Sequence, residues 1–523
     1  MSWLIAEGYQ EEALFSSRSE WSHGRLIRAT PHRRVLEIDG RHRSFLVKHF
    51  VPSGIWKASM EVLRASPAAR EWKALHEARH RGLSVPMPVA LGEGGKMWKP
   101  ESFLVTEFIE EAVPLGRYLF GPDRLVGSSR SRAVQEVARL IRRAHDAGFY
   151  QPDLHAENIL LRSGRKELDP FLIDLQRVSF SSSLSLRRRW HNLSVLNGGC
   201  TEANLVDRVR FLRSYLSSGP PLRIEFREAA ARLEKGGRRH RFHLWRSRNK
   251  RCLAENGEFL RVEAGGFSGF ARRNLWTAEF HELFQELYGS RPHPGIRWIK
   301  GFSTRTVGLL SLPRGKFCIK KYRCDGFGAA LKSLFCSSQA RREWMAANSV
   351  RMRGVAVPLP VAYVERRRFL FLSDSYFIAA DAEGEKVSAI LSRLVVPGPA
   401  LSDKRALIWS MARWLRKIHA CGVSGLEFGD LNIVVKTENP GKFRFSILDC
   451  SKARFGPVFW RRRMQDIIKL GEAWAHCAWI SRTDKLRFLE NYLGFREHEK
   501  WRKIWRYGAH RRTGRILTAW FLY

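Results

Sequence analysis

Two oxygen-bearing side chains stand close together in the stretch GFYQPDLHAENILL. Asp153 is a carboxylate, Asn158 is an amide five residues later, and an apolar run follows. A second carboxylate, Asp174, comes directly after the apolar segment FLI. Carboxylate and amide oxygens are ligands that Mg²⁺ accepts beside phosphate oxygens, and a carboxylate can also orient or deprotonate a hydroxyl group. The pattern therefore indicates a site that handles a metal-bound phosphate and an acceptor hydroxyl group.

Phosphoryl transfer also needs a cation on the phosphates, and the N-terminal part of the chain supplies one. Lys48 lies in the apolar segment SFLVKHF, and Glu71 follows it by 23 residues in a helix-like segment, where an ion pair would hold the lysine toward nucleotide phosphates. Taken singly, such residues are more often surface charges or turn residues that bond their own backbone. Their joint order favours the functional interpretation: Asp153 acts on the acceptor hydroxyl group, and Asn158 and Asp174 bind Mg²⁺.

The same residue types recur later in the chain at a nearly constant offset. SFLVKHF matches KFCIKKY, and AAREWKALHEARHRGLSVPMPVA matches QARREWMAANSVRMRGVAVPLPVA. The matched site residues, 272 to 275 positions on, are Lys320, Glu343, Asn432 and Asp449. Two copies of one domain explain this repeat. We expect a first domain over 1–235, a basic connector over 236–258 and a second domain over 259–523.

Within each copy, apolar strands precede helical segments. The strands carry the lysine, an amphipathic helix carries the glutamate, and a VPxPVA segment ends that helix. A further strand, a helix ending at AHDAG or IHACG, the acid and amide loop and short strands follow. We therefore expect an α+β fold of two tandem, two-lobed domains, each with a cleft between a strand-rich lobe and a helical lobe. His145 and His419, at the helix ends, are expected to pack or to meet the helix dipole.

The second copy differs at the position of the catalytic acid. Its loop reads GVSGLEFGDLNIVV, so Glu427 stands where the first copy has Asp153. The extra methylene moves the carboxylate by about an ångström, and a displacement on that scale can cost on the order of 100-fold in rate. We expect the second copy to bind nucleotide or sugar weakly, to catalyse poorly and to serve as a structural or regulatory partner.

The chain is strongly basic. Its 91 Lys and Arg residues against 51 Asp and Glu give a net charge of +40, which attracts nucleic acid, anionic lipid headgroups or phosphorylated glycans. Basic clusters at 187–190, 236–251, 366–368, 461–464 and 501–515 read equally well as solvated faces or as a platform for a phosphorylated glycolipid at an anionic membrane. In the last cluster, Trp501 and Trp505 fit interfacial or sugar-stacking roles and fit a core equally well.

Cysteine usage and hydropathy bound the location. The eight cysteines show no CxxC pair and no Cys/His metal spacing, which favours reduced thiols in a cytoplasmic protein. No apolar stretch approaches the length of a membrane span. We expect a cytoplasmic protein that at most lies peripherally on the inner face of the cytoplasmic membrane.

The DxxxxN loop followed by a strand-borne aspartate resembles the protein-kinase-like fold. The REW helix start with VPxPVA, the IDLQR segment in place of DFG and the basic run RRRWHNL resemble the lipopolysaccharide core kinases, which phosphorylate heptose or Kdo (3-deoxy-octulosonic acid) sugars of the inner core. The resemblance covers about residues 25–215 and 297–480. It implies ATP and Mg²⁺ as cofactors and a lipopolysaccharide core saccharide, or a similar anionic glycolipid, as partner.

Two features depart from ordinary protein kinases. No GxGxxG precedes Lys48; the corresponding stretch RATPHRRVLEIDG is basic, so we expect Arg33 or Arg34 to contact phosphates in place of a glycine-rich backbone. The catalytic loop reads Gln151-Pro152-Asp153 and lacks the arginine that would read an activation-loop phosphate, which fits a kinase that is not switched in that way.

We expect an ATP-dependent kinase of a lipopolysaccharide inner-core sugar, with its chemistry in the first copy. The same reaction on another small molecule or on a protein hydroxyl group stays open, as does a catalytically silent tandem pseudokinase that serves as a scaffold at the membrane surface. Nucleic-acid binding rests on charge alone, because no recognition module appears in the sequence, and it is not expected.

Overall fold

A computed structural model of the chain divides into two compact units, Met1–Arg241 and Phe242–Tyr523. The last basic cluster, with Trp501 and Trp505, lies outside the residues that the structure describes. The described residues are 2–10, 21, 23–30, 32–51, 65–96, 99–121, 124–163, 168–201, 203–288, 295–301, 305–324, 331, 333–368, 371–394, 400–429, 432–439, 441–475, 477 and 479–494.

The first unit begins with an antiparallel sheet of six strands, in the spatial order β1-β5-β6-β4-β3-β2. These strands are β1 (Ser2–Ile5), β2 (Arg25–Thr30), β3 (Arg33–Asp39), β4 (Ser44–Phe50), β5 (Pro88–Lys96) and β6 (Lys99–Glu107). One helix, α1 (Pro67–His80), packs on one face. Phe45 and Val47 of β4 belong to the apolar cluster on the other face. Because side chains alternate along a strand, Lys48 must point toward α1.

Local sequence signals fix both ends of this helix. The Ser66 side chain accepts a hydrogen bond from the Ala69 backbone N–H at 3.0 Å, and Pro67 occupies the first turn. Gly82, just past the end, has a φ of +71°, which only glycine adopts without strain. The equivalent helix of the second unit has the same signals in Ser338 and Gly354. These caps set where Glu71 falls on the helix.

The helical lobe of the first unit surrounds short strands that carry the acid and amide loop. Its elements are β7 (Ala112–Pro114), α2 (Leu115–Phe120), α3 (Gly127–Asp146), β8 (Phe149–Tyr150), β9 (Ile159–Ser163), β10 (Leu168–Leu172), β11 (Ser179–Phe180), α4 (Leu186–Gly199), α5 (Leu205–Ser217) and the part of α6 (Phe226–Arg248) that precedes Phe242, the first residue of the second unit. In the β9–β10 hairpin Ile159 pairs with Leu172. Asn158 directly precedes Ile159, and Asp174 follows Leu172 by two residues, so both come to the same end of the hairpin.

The second unit repeats this order after one additional hairpin strand. Its sheet has seven strands, in the order β12-β13-β17-β18-β16-β15-β14. The elements are β12 (Phe259–Ala264), β13 (Phe267–Arg272), α7 (Ala278–Tyr288), β14 (Ile296–Gly301), β15 (Arg305–Leu312), β16 (Gly315–Arg323), α8 (Gln339–Met352), β17 (Pro360–Arg368), β18 (Phe371–Ala380), β19 (Glu385–Lys386), α9 (Val387–Arg393), α10 (Ala400–Ala420), β20 (Val423–Ser424), β21 (Ile433–Asn439), β22 (Lys442–Ile447), β23 (Arg454–Phe455), α11 (Trp460–Ala475) and α12 (Arg482–Leu493).

The predicted fold class is confirmed. Each unit is an α+β body in which a strand-rich lobe precedes a helical lobe, and this arrangement occurs twice along the chain. The segment expected to be a connector, 236–258, contains the C-terminal part of helix α6 and the short turn Arg251–Leu253. The first residue of the predicted second domain, Phe259, begins strand β12.

The histidine at the end of each long helix is buried in a polar network. In the first unit, His145 Nδ1 lies 2.7 Å from the Tyr215 hydroxyl group and Nε2 lies 3.3 Å from Asn192 Oδ1. In the second unit, His419 meets Tyr492 and Asp466 in the same way. Burial, helped by the nearby Arg189 charge, lowers the pKa of His145 to about 3. A neutral ring cannot be a cationic partner of the helix dipole, so the structure supports packing as the role of His145.

This network makes stability depend on pH. The pKa of His145 is about 3 in the folded chain and about 6.5 in an unfolded one, so the unfolded chain takes up the proton first as the pH falls. The contribution of the neutral His145 ring to the free energy of unfolding is complete above about pH 6.5 and is lost progressively toward pH 3. Burial lowers the pKa of His419 as well, which adds in the same direction. Urea unfolding at about pH 7.5 and pH 5.5 should give a smaller free energy at the lower pH.

The control for this prediction is a pair of matched variants. His145→Gln removes one of the two titrating rings and should reduce the decrease of stability between the two pH values, although the absolute stability of the variant is lower. His243→Gln changes an exposed histidine and should leave the decrease as it is. An unaltered pH dependence in His145→Gln would show that the buried ring is not its source.

Candidate active site

A buried ion pair lies in the strand-rich lobe of the first unit, and its carboxylate also contacts the helical lobe. Lys48 Nζ on β4 lies 2.6 Å from Glu71 Oε1 on α1, and both residues are buried. The same Glu71 oxygen accepts a hydrogen bond from the Leu175 backbone N–H at 3.1 Å. Leu175 directly follows Asp174. One carboxylate oxygen thus fixes the lysine and, at the same time, the backbone next to Asp174.

The hairpin of the helical lobe brings Asp174 and Asn158 together. The Ile173 backbone N–H donates to the Asn158 carbonyl group at 3.0 Å. Asp174 adopts a left-handed conformation with a φ of +59°, which is uncommon for any residue with a side chain and costs about 1–3 kcal/mol. Strained backbone of this kind persists where the surroundings hold it, and it is concentrated at functional sites.

Gln151 supports this strained backbone. Its side-chain amide donates to the carbonyl groups of Ile173 at 3.2 Å and Asp174 at 3.0 Å. Asn192 holds the Gln151 backbone in turn, since the Asn192 amide donates to the Gln151 carbonyl group at 2.7 Å. From sequence alone, Gln151 is distinguished only as a position that lacks an arginine. The repeat could have indicated more, because the second copy has Gly425 at the same place.

Asp153 is at the open side of the loop. Its carboxylate is 66% exposed, and Oδ2 lies 3.8 Å from His155 Nε2. The Asn158 amide nitrogen donates to the Asp153 backbone carbonyl group at 3.0 Å, which directs the Asn158 side-chain oxygen away from that carbonyl group. A carboxylate that accepts a proton from a bound hydroxyl group must be accessible to that group, and Asp153 meets this condition.

Arg33 is the arginine that enters the site. It begins β3, and its Nη1 donates to both carboxylate oxygens of Asp174 at 3.2 Å. Arg34 is exposed and, as the next residue of the strand, points to the opposite face. Burial alone would raise the pKa of Asp174, but the positive charges of Lys48 and Arg33 outweigh it and hold that pKa below its ordinary value. Asp174 therefore stays ionised at neutral pH.

The second unit assembles a matching cluster. Lys320 contacts Glu343 and also donates to the Leu448 carbonyl group at 3.2 Å. The Asp449 carboxylate accepts a hydrogen bond from Arg305 at 2.9 Å. Burial alone would raise the pKa of Asp449, but the Lys320 charge and further hydrogen bonds lower it to about 2. Arg305 lies 272 residues after Arg33, so the repeat offset could have identified it.

The second unit nevertheless departs from the first around its loop. Asn432 keeps its place, because its carbonyl group accepts from the Leu448 backbone N–H at 2.9 Å. The carboxylate of Glu427, at the position of Asp153, is bound by Lys452. Asp449, which is a described residue, does not have the positive φ that Asp174 has. The second copy thus retains the buried ion pair, while its loop carboxylate is less exposed than that of Asp153 and is paired with a lysine.

A further difference concerns the free oxygen of the buried glutamate. In the second unit the Tyr322 hydroxyl group donates to Glu343 Oε2. The first unit has Phe50 at that position, and within the described residues the buried Glu71 Oε2 has no hydrogen-bond partner. A buried oxygen without a donor is costly, so we expect the surroundings of Glu71 to be less stable than those of Glu343.

The chain is similar to known proteins in both copies. Residues 23–215 and 322–492 match the model of the lipopolysaccharide kinase (Kdo/WaaP) family. The lipopolysaccharide core heptose(I) kinase WaaP of Escherichia coli is 27% identical over 219 residues, which are 37% of this chain and 78% of that protein. The 3-deoxy-D-manno-octulosonic acid kinase of Haemophilus influenzae (strain 86-028NP) is 27% identical over 141 residues, 25% of this chain and 56% of that protein, so the chain spans about half of its length.

Two solved structures are also similar. The structure of WaaP in complex with acyl carrier protein is 25% identical, has a TM-score of 0.35 and covers 46% of this chain and 98% of that one. The kinase domain of PknI from Mycobacterium tuberculosis is 15% identical, has a TM-score of 0.24 and covers 36% of this chain and 75% of that one.

Substituting each aromatic residue, Phe50 or Tyr322, by its counterpart from the other unit should change the stability of the helix that carries the nearby glutamate. Phe50→Tyr gives Glu71 Oε2 a donor and should stabilise helix α1 by about 1 kcal/mol, the net value of one hydrogen bond. Tyr322→Phe leaves Glu343 Oε2 buried without a donor and should destabilise helix α8 by about 1–3 kcal/mol. Hydrogen–deuterium exchange read by mass spectrometry measures the protection of each helix separately.

Each variant provides the control for the other, because its effect should be confined to its own unit. Unchanged protection of α8 in Tyr322→Phe would mean that the Tyr322–Glu343 hydrogen bond does not contribute to stability.

Proposed function

The chain belongs to the lipopolysaccharide kinase (Kdo/WaaP) family, and we propose that its first unit transfers the γ-phosphate of ATP to a hydroxyl group of a lipopolysaccharide inner-core sugar. The observation that carries this proposal is the buried Lys48–Glu71 pair, whose shared oxygen also holds the backbone beside Asp174. Lysine, carboxylates and an amide in one cleft are the groups that phosphoryl transfer uses. The relatives named above act on heptose and on 3-deoxy-D-manno-octulosonic acid, which supports a core sugar as acceptor.

The residues of the first unit have distinct roles in this reaction. Lys48 binds the nucleotide phosphates, and Glu71 holds it in place. Asp153 orients the acceptor hydroxyl group and accepts its proton as the oxygen bonds to phosphorus. Arg33, next to the turn of the β2–β3 hairpin, contacts Asp174, and we assign its positive charge to stabilising the charge that spreads over the transferred group. Gln151 is a positioning residue, since it acts on Asp174 through the backbone.

The donor set fits a magnesium ion that arrives with the nucleotide. Within the described residues, no three His, Cys, Asp or Glu side chains cluster closely enough to hold a metal ion. The site offers one carboxylate, Asp174, and one amide oxygen, Asn158. Mg²⁺ is commonly held by one or two carboxylates together with substrate phosphates and water. When bound, it would neutralise charge on the phosphates, and Asp174 and Asn158 would hold it.

We assign the second unit a structural or regulatory role with weak nucleotide binding. Lys320, Glu343, Asn432 and Asp449 are retained there, but Lys452 binds Glu427 and Gly425 cannot make the contacts of Gln151. A scaffold of two silent units is the alternative from a different class. The strained Asp174 and the accessible Asp153 in the first unit favour an enzyme over that alternative.

The acceptor would be met at the membrane surface. No helix among the described residues is both long and apolar enough to cross a bilayer. A cytoplasmic chain in peripheral contact with anionic lipid fits the +40 charge and a glycolipid acceptor. Some clustered basic residues are used inside the fold, since Arg189 pairs with Asp146 at 2.6 Å and Arg366 with Asp374 at 2.5 Å. The basic residues that are not paired inside the fold are the ones that would contact an anionic membrane.

Substitution of the two loop acids separates the units. Asp153→Asn removes the group that accepts the proton and should lower kcat by at least about 100-fold. Glu427→Gln should leave the rate close to that of the unaltered protein. Transfer of labelled phosphate from ATP to a core oligosaccharide, with a mass increase of one phosphate, measures both. Loss of transfer in Glu427→Gln, with Asp153→Asn near normal, would reverse the assignment of the active unit.

Metal binding should depend on nucleotide. Because the protein supplies one carboxylate and one amide oxygen, Mn²⁺ used as a probe for Mg²⁺ should bind weakly to the protein alone and much more tightly with a non-hydrolysable ATP analogue. Titration calorimetry measures the difference. Asp174→Asn should abolish the nucleotide-dependent binding, whereas Asp449→Asn should reduce it much less. Tight Mn²⁺ binding without nucleotide would contradict this picture of the site.

A further inference from the structure

The edge strand next to the site has the same order of basic and apolar residues in both units. Strand β2 contains Arg25-Leu26-Ile27-Arg28, and strand β14 contains Arg297-Trp298-Ile299-Lys300, 272 residues later. Each is the last strand of its sheet and forms a hairpin with the strand that carries Arg33 or Arg305. A basic residue, two large apolar residues and a second basic residue thus occupy the same edge twice.

A β-bulge falls at the same residue in the two strands. Leu26 pairs with Leu36 and Arg28 with Val35, so Ile27 is the extra residue of β2. Trp298 pairs with Gly308 and Lys300 with Val307, so Ile299 is the extra residue of β14. A bulge interrupts the alternation that would otherwise turn one of two successive residues toward the core.

The bulge leaves both apolar side chains of each pair at the surface. Leu26 is 55% exposed and Ile27 48%, and every residue of β2 is exposed. In the second unit Trp298 is 37% exposed and Ile299 59%. Adjacent exposed apolar residues at one position of two diverged copies are unlike the single, scattered apolar residues of ordinary surfaces, and such patches mark interaction sites.

The bulge and the flanking charges discriminate between partners. A bulged, strongly twisted edge is a feature that proteins use against pairing with another strand, so an extended peptide is a poor match. Basic residues flank each apolar pair, and Arg25 is 73% exposed even while it contacts Glu37. Apolar side chains, including tryptophan, with a basic residue on either side in the strand suit the boundary between anionic headgroups and acyl chains.

We propose that the bulged edges of β2 and β14 are docking surfaces for an anionic phospholipid bilayer. The apolar pairs enter the headgroup boundary, and the arginines bind lipid phosphates. The β2–β3 hairpin that carries this edge also carries Arg33, which reaches Asp174. Docking would hold the cleft of the first unit near the lipid surface. This last consequence, unlike the docking, rests on the proposed function, because it presumes a lipid-linked acceptor.

Co-sedimentation with vesicles tests the proposal on the full-length chain. The unaltered protein should bind vesicles of phosphatidylcholine mixed with phosphatidylglycerol and bind pure phosphatidylcholine much less. Ile27→Asp and Ile299→Asp should each weaken binding to the mixed vesicles by about tenfold, the loss expected when one aliphatic side chain no longer enters the apolar layer. Ile27→Ser, which adds no charge, should show most of the same loss.

Leu4→Asp is the matched control. Leu4 is 57% exposed on β1, at the opposite edge of the same sheet, and its substitution adds the same charge. Sedimentation of Ile27→Asp and Ile299→Asp like the unaltered protein, or an equal loss in Leu4→Asp, would overturn the proposal and leave the apolar pairs to another partner, such as a protein.

Phosphate transfer to a soluble, delipidated core oligosaccharide separates docking from catalysis. The rate should be unchanged in Ile27→Asp, because the edge does not touch the reacting groups. An inactive unaltered protein that still binds mixed vesicles through these residues would contradict the proposed function and leave the docking surface in place.

Discussion

The buried pair between Lys48 and Glu71 is the interaction on which the first unit depends. Two charges removed from water are costly, and they persist only when they are paired and hydrogen-bonded. Glu71 satisfies this condition with one oxygen, which binds both Lys48 and the backbone of Leu175. Strand, helix and loop are therefore fixed relative to one another by a single carboxylate. A buried ion pair of this kind contributes little net stability, and its value here lies in defining one geometry.

The buried lysine–glutamate pair occurs in both units, but its surroundings differ. In the second unit the glutamate is bound on both oxygens, by Lys320 and Tyr322. In the first unit one glutamate oxygen is left without a partner among the described residues, and Asp174 is held in a strained backbone conformation. Strain and unsatisfied groups are features that functional sites retain and that structural copies can lose. The contrast agrees with chemistry in the first unit and support from the second.

The hairpin of β2 and β3 connects the site with the surface. Its inner strand carries Arg33 to Asp174, and its outer strand carries the exposed Leu26 and Ile27. A glycine-rich phosphate loop would give this place a flexible backbone, whereas the basic hairpin gives it a charged side chain. In the proposals made above, the same element would contact the phosphates through its inner strand and a lipid surface through its outer strand.

The sequence by itself determined the features that depend on nearby residues or on the repeat. Ser66 and Gly82 fix the ends of helix α1, alternation along β4 turns Lys48 toward it, and the constant offset identifies the second set of site residues. Those signals suffice for the fold class, for the two copies and for the candidate residues. The family resemblance follows from the same short motifs.

Only the tertiary structure decided how distant segments meet. It distinguished Arg33 from Arg34, because the contact with Asp174 joins residues 141 apart. It showed that Gln151 donates to two backbone carbonyl groups. It also showed that Tyr322 donates to Glu343, whereas Phe50, at the matching position of the first unit, has no hydroxyl group to donate to Glu71. No local pattern encodes these contacts, since each depends on which faces of separate elements pack together. The physical reason is that hydrogen-bond partners are chosen by proximity in the folded chain, whereas caps and periodicity act within a few residues.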